Sequence, residues 1–364
     1  MSDRIDLSSQ RGLAITLVSG SDVGDTARVC EVLSGSTAER GCREFDVPDV
    51  DEAGLALELA SRFADEAARS PAGLRVVALE PAIDVMEVGL VLEHILESSR
   101  LVAPVCIQDV VAVSSTAEIV GCLIGAADPV SAVAAEAGDI EVPGRLAARL
   151  EFASLIVLKD AGAAPPESRL VRMLLAHLAP AARVLTLAEL RELAESSPLR
   201  RLHRLPVRGR AHRLGASMGW QLHLAEGAPA AGDLGPIGVH VFRDPRPFHP
   251  GRLLAAIENE LTRERVGRVA RSRGFVRLAT RPDTVGSWST AGDVLDLGPT
   301  ALRSWDPDSP IGQEIVFFGV ELDRDRIDAA LTACLLDGSE LEAGRDAWAR
   351  YRDPFPEWAA THHH

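Results

Sequence analysis

The chain has 364 residues, of which 46% are hydrophobic and 25% charged, and a formal net charge of −15. That length suits two domains, no apolar run reaches the roughly 20 residues of a membrane span, and the acidic balance argues against generic nucleic-acid binding. The opening "MSDRIDLSSQRG" lacks an apolar signal core, and the five cysteines (Cys30, Cys42, Cys106, Cys122, Cys334) show no paired spacing, so a cytoplasmic protein with reduced thiols is expected.

The first half alternates apolar runs with amphipathic ones. Strands are predicted at Leu13–Ser19, Cys42–Val47, Leu74–Glu80, Val105–Val113, Leu155–Lys159 and Arg183–Thr186. Helices are predicted at about 24–34, 50–69, 86–99, 115–124, 144–152, 167–178 and 187–196. Nearly continuous apolar strands in a βαβ alternation predict an α/β fold with a doubly wound parallel sheet. Ligands of such sheets bind beyond the carboxyl ends of the strands, so the loops after Ser19, Glu80, Val113 and Lys159 are the places to inspect. Residues 197–235, rich in Arg, Gly, Pro and Ala, read as a linker. Within it "LRRLHRLPVRGRAHR" carries Arg200, Arg201, Arg204, Arg208, Arg210 and Arg213 and no acid: either a solvated connection or a contact for an anionic partner such as RNA. From Ile237 the chain offers a strand ("IGVHVFR"), a helix from Pro250 to about Leu261, a strand in "RVGRVARSRGFVRLA", two more around Trp288 and in "QEIVFFGVEL", and a closing helix, "DRDRIDAALTACLL". This second unit reads as a smaller α+β sandwich. The expected division is 1–196, a linker at 197–235, 236–358, and a tail at 359–364 that is set aside because its "THHH" is either native or the start of a tag.

"SGSDVGDT" (residues 19–26) has the outline of a phosphate-binding loop: strand, glycines, helix start, Thr26. Two features depart from it. Gly20 and Gly24 are one residue too close, and Asp25 stands where the phosphate-binding lysine belongs. A unit charge at about 4 Å is worth roughly 4 kcal/mol at an effective dielectric near 20, so its sign reversal disfavours a triphosphate. Arg28 lies a helical turn further on. The competing reading is a glycine-permitted turn with Asp25 or Thr26 at a helix start.

The stretches "IGVHVFRDPRPFHPGRL", "RSRGFVRLATRP", "SWSTAGDVLDLGP" and the ending "QEIVFFGVELDRDRIDAALTACLLDGSELEAGRDAWARYRDPFPEW" resemble the C-terminal domain of CobW-like proteins, a group of P-loop GTPases, in an actinobacterial branch. "LEPAIDVMEV" and "RLEFASLIVLKDAG" are similar to the family's switch and guanine-reading segments. The resemblance implies a GTPase-like sheet followed by a CobW C-terminal domain, GTP-dependent metallochaperone or zinc-homeostasis activity, and a Cys-x-Cys-Cys metal motif. Its branch is associated with zinc starvation and ribosome hibernation. Against that pattern, Leu158-Lys159-Asp160-Ala161 keeps the lysine of the guanine loop but loses its Asn and final Asp. Glu80 ends a strand where the nucleotide's magnesium would lie, and Glu80, Asp84 and Glu87 are oxygen donors suited to a hard cation or to plain solvation. No Cys-x-Cys-Cys is present, and Cys42 is at most a remnant. His94 and His177 read as structural, as does His249 in "PFHP", as a neutral ring; His203, His212 and His223 lack a standard zinc spacing.

The expectation is a pseudo-GTPase without catalytic residues, acting as an adaptor or regulatory binding protein. Its degenerate nucleotide site would comprise Gly20, Gly24, Asp25, Thr26, Glu80, Lys159 and Asp160. No cofactor is expected. A protein partner is expected, with a ribosome or RNA contact through the arginine stretch, and no membrane. Two alternatives stand beside it: a GTP-dependent zinc metallochaperone with a divergent nucleotide site, holding GTP with magnesium or zinc, and a cleft reused for another small ligand.

Overall fold

The computed structural model describes residues 12–35, 42–44, 51–69, 73–99, 101, 103–125, 137–159, 165–196, 208–227, 235–307 and 309–358. They belong to two compact units. One takes the chain to Thr116 with Ala148–Ala164 and Ala179–Met218; the other takes Ala117–Ala147, Pro165–Leu178 and the chain from Gly219 onward.

In the first unit, Leu13–Gly20 (β1) is buried at every position, as a strand covered on both faces must be. The sheet adds Cys42–Glu44 (β2), Gly73–Leu79 (β3), Val105–Ser114 (β4), Leu155–Leu158 (β5) and Arg183–Thr186 (β6). Its order is β2-β3-β1-β4-β5-β6, and every pair is parallel. The helices of the first half of the chain are Val23–Ser34 (α1), Glu52–Arg69 (α2), Val85–Ser98 (α3), Thr116–Ile119 (α4, running into a π turn over Val120–Ile124), Ala137–Glu151 (α5), Pro165–Leu178 (α6) and Leu187–Ser196 (α7). On one face of the sheet Val29, Cys30 and Leu33 of α1 and Leu190 of α7 share a cluster with Ala14, Val18, Val76 and Val113. On the other, α2 and α3 bury Leu55, Leu59, Phe63, Val88 and Leu92 as they pack together and against β1 and β4. The doubly wound parallel sheet is therefore what these residues build.

The 197–235 stretch holds two helices that its composition does not announce, Arg210–Ala216 (α8) and Gly219–Glu226 (α9). A distant acid starts α8. Glu93 of α3, only 4% exposed, accepts from Ala211 N at 3.0 Å and His212 N at 2.9 Å, satisfying donors that a helix start leaves open.

The second unit has an antiparallel sheet of Ile237–Asp244 (β7), Arg268–Val276 (β8), Thr284–Ala291 (β9), Val294–Arg303 (β10) and Gln313–Val320 (β11), in the order β10-β9-β8-β11-β7. Strand β10 is additional to the sequence reading. The later helices are Pro250–Asn259 (α10), Arg263–Val266 (α11), Arg324–Cys334 (α12), Gly338–Ala343 (α13) and Arg345–Trp348 (α14). Leu253 and Ile257 of α10 and Ile327 and Leu331 of α12 close a core with Phe242, Phe248, Trp288 and Phe317. This is the expected α+β layering. His249 caps α10: its Nδ1 accepts from Arg252 N at 3.3 Å, its ring lies 4.4 Å from that of Tyr351, and burial, then the Arg252 charge, holds its pKa below the ordinary value. An acceptor Nδ1 is an unprotonated one, so the neutral structural role read from "PFHP" is the one it plays. Among the described residues no helix is long and apolar enough to cross a membrane.

Candidate functional site

β1 sits between β3 and β4, so the loop after it lies where the connections diverge to the two sides of the sheet. Only Ser21 and Asp22 separate β1 from α1. The turn is tight because Gly20 allows it: a Cβ there would lie 2.6 Å from Thr26 Oγ1 and 3.2 Å from Val113 O. Asp22 is the N-cap. Its Oδ1 accepts from Asp25 N at 2.7 Å, and its carbonyl accepts from the Thr26 hydroxyl at 2.8 Å and from Thr26 N at 3.0 Å. Gly24 carries no comparable constraint, since a Cβ there would meet only Asp22 Oδ1 at 3.3 Å.

Asp25 and Lys159 meet. Lys159 Nζ donates to Asp25 Oδ2, and Arg28 Nη1 donates to Asp25 Oδ1 at 2.7 Å. The two altered motifs of the sequence thus form one ion-paired group at the carboxyl ends of β1 and β5. The Asp25 side chain is 12% exposed, against 36% for Lys159 and 62% for Arg28, so the anion is covered by its cations.

A triphosphate in such a loop needs open backbone donors, a free lysine and a hydroxyl for magnesium. Here Asp25 N serves Asp22, the Thr26 hydroxyl serves the Asp22 carbonyl, and Lys159 serves Asp25. Two carboxylates occupy the positive end of α1, which stabilises acids without any ligand. These residues do not fit a nucleotide triphosphate with its magnesium.

Glu80 is exposed, just past β3. Asp84 is spent as the N-cap of α3, accepting from Met86 N at 2.8 Å and Glu87 N at 3.3 Å. Burial, then the charges of Glu52, Asp84 and Asp51, raises the pKa of Glu87. Among the described residues no three His, Cys, Asp or Glu side chains converge on a metal position. The thiols are dispersed as well. Burial pushes the pKa of Cys106 and Cys122 up, and that of Cys334 to about 11, away from the thiolate that zinc requires. The sequence has no Cys-x-Cys-Cys, and among the described residues no cluster takes its place.

Asp160, Arg200, Arg201 and Arg204 lie outside the described residues. Of the remaining arginines, Arg208 is exposed, Arg210 lies 3.7 Å from Asp109, and Arg213 donates to the Arg208 carbonyl at 2.6 Å. One residue at the site escapes sequence reading. Arg149 of α5, 5% exposed, donates to Ser19 Oγ at 2.9 Å and to the Pro81 carbonyl at 3.0 Å, tying the end of β1 to the β3–α3 loop. Nothing in "RLAARLEF" marks it; only its place among apolar neighbours hints at burial.

Comparison with known proteins fits this architecture. Residues 237–335, from the first residue of β7 to the residue after α12, match the cobalamin synthesis protein cobW C-terminal domain. That stretch is a CobW-type C-terminal domain. The chain is 31% identical over 136 residues to zinc-regulated GTPase metalloprotein activator 1 of Dictyostelium discoideum, a match covering 31% of this chain and 28% of that protein. It is 32% identical over 250 residues to the zinc chaperone Rv0106 of Mycobacterium tuberculosis, covering 61% of this chain and 57% of that one. The chain thus spans about a quarter and about half of these relatives' lengths. The solved Zn(II)-bound YjiA GTPase from E. coli is also similar, at 13% identity and a TM-score of 0.35, with 90% of this chain and 100% of that one covered; no residue is transferred from so loose a likeness.

Proposed function

We propose that this CobW-like chain acts by binding rather than by turning over GTP: a regulatory or adaptor protein of zinc homeostasis in which an internal ion pair takes the place of a nucleotide. One observation carries this reading. Asp25 is held by Lys159 and Arg28 beside a two-residue turn, with Asp25 N, Thr26 N and the Thr26 hydroxyl already bonded to Asp22. The zinc connection comes from the relatives' names, a zinc-regulated metalloprotein activator and a zinc chaperone. The arginine stretch, exposed at Arg208 and Arg213, is the surface we assign to an anionic partner, ribosomal RNA among them. Arg→Ser changes there should weaken capture of that partner; undiminished capture would remove the stretch from the reading.

The decisive experiment is calorimetric titration of concentrated protein with GTP, GDP and ATP, with and without magnesium. No saturable heat is expected. A second reading, a zinc metallochaperone with a divergent nucleotide site, has the relatives' names and the retained Thr26 in its favour. Saturable, magnesium-dependent GTP binding in the same titration would establish it and overturn the first.

A further inference from the structure

The second unit brings together two histidines that lie far apart in the sequence. His177 is in the last turn of α6, and His223 is in α9. Their ring centroids are 5.6 Å apart and their planes 39° from each other. Both residues are half-buried.

The arrangement is held in place from several directions. Gly219, the first residue of α9, presses on the end of α6 so closely that a Cβ would lie 1.6 Å from the His177 carbonyl oxygen; only glycine lets the helices meet there. One turn before His223, Trp220 is buried and packs edge-on to Phe275 at 5.7 Å. His223 also rests against Phe318 of β11, centroid to centroid 5.6 Å. The Leu224 carbonyl accepts from Arg243. The last residue of α9, Glu226, carries an exposed carboxylate one turn beyond His223.

We propose that His177 and His223 form a two-imidazole site for a borderline divalent transition metal, Zn(II) in the first instance, with water completing the coordination. The spacing fits. With Zn–N near 2.0–2.1 Å and a ring centre roughly 1.1 Å behind its nitrogen, two imidazoles on one tetrahedral ion have centroids about 5–5.5 Å apart. The observed centroid separation of 5.6 Å is close to that spacing, and the side-chain torsions would bring one nitrogen of each ring to the ion. Imidazole suits zinc, nickel and copper, and the absence of thiolate gives a weak, exchangeable site rather than a structural one. The Glu226 charge adds a favourable field without being a required ligand. This site lies in the second unit and owes nothing to the cysteine motif of the family.

The test uses the full chain with His362, His363 and His364 changed to serine in every sample, so that the tail cannot bind metal. Zn(II) is titrated calorimetrically, and Co(II) by its visible absorption. One equivalent is expected in the micromolar range. His177→Gln and His223→Gln should each weaken binding at least about tenfold, while His212→Gln, a solvent-facing histidine of α8, should change nothing. Should a glutamine variant fail to fold, histidine-selective NMR on the chain with both rings intact replaces it: Zn(II) should shift the resonances of both. No uptake, or full affinity in folded variants lacking either ring, or zinc-induced shifts confined to other histidines, would overturn the proposal.

Discussion

Replacing Asp25 by asparagine keeps the side chain's size and removes the charge between Lys159 and Arg28. Two unit charges at about 4 Å attract by roughly 4 kcal/mol at an effective dielectric of 20. Lys159 is 36% exposed, however, and solvent screening reduces its pair to about 1 kcal/mol. The Arg28 pair lies within one turn of α1, with Arg28 62% exposed, and adds roughly 0.2–0.5 kcal/mol at most. Loss of an acid from the first turn of α1 costs about 0.3–1 kcal/mol more. Asp25→Asn should therefore destabilise the first unit by about 1.5–2.5 kcal/mol, with coupling of about 0.5–1 kcal/mol to Lys159→Met in a double-mutant cycle. Trp220, Trp288, Trp305, Trp348 and Trp358 all belong to the second unit, so the readout is far-UV circular dichroism in urea together with amide exchange of α1, not tryptophan emission. Zero coupling, or a gain in stability from Asp25→Asn, would show that the contact is incidental and remove the main support for an internally satisfied loop.

Four further outcomes are expected. Asp25→Lys alone should not confer magnesium-dependent GTP binding, measured by calorimetry, because the turn stays two residues long and the Thr26 hydroxyl stays committed. Glu93→Gln should cost about 1.5–3 kcal/mol in chemical denaturation, since one of the two buried N–H donors of α8 then faces an amide NH2 in place of a carboxylate oxygen. Gly219→Ala should cost more than about 3 kcal/mol or abolish soluble expression, because its methyl group must displace the His177 backbone. The His249 pKa is lowered in the folded chain, so the unfolded chain binds the proton first. Stability should then fall as pH drops below the ordinary 6.5 and level off below the folded value. His249→Asn, which keeps a capping acceptor without titrating, should shallow that slope between pH 7.5 and 5.5. A residual slope should remain from His177 and His223, whose pKa values burial also lowers.

What could be read along the chain and what could not divide along a physical line. Strands such as Leu13–Gly20 are legible because burial on both faces demands an unbroken apolar run. Helices such as Leu187–Ser196 follow from apolar spacing. Strand β10 escapes because it is a sheet edge, exposed or half-exposed at nearly every position and interrupted by Pro299. Helix α8 escapes because the acid that starts it is 118 residues distant, so no local capping signal exists. At the candidate site, Asp25 and Lys159 each stand out as departures from separate motifs, yet their meeting across 134 residues is a property of the sheet order alone. Arg149 is invisible for the same reason, its contact with Ser19 spanning 130 residues.

The Asp25–Lys159 contact also limits how the loop can change. Each residue neutralises the other, so a lysine introduced at position 25 would set two ammonium groups against each other beside this turn. A lysine there would need a longer turn and a released Lys159 before the charge change became tolerable. Such mutual dependence works as a ratchet. A loop closed in this way can drift only where Gly20, the Asp22 cap and this pair of charges are not involved.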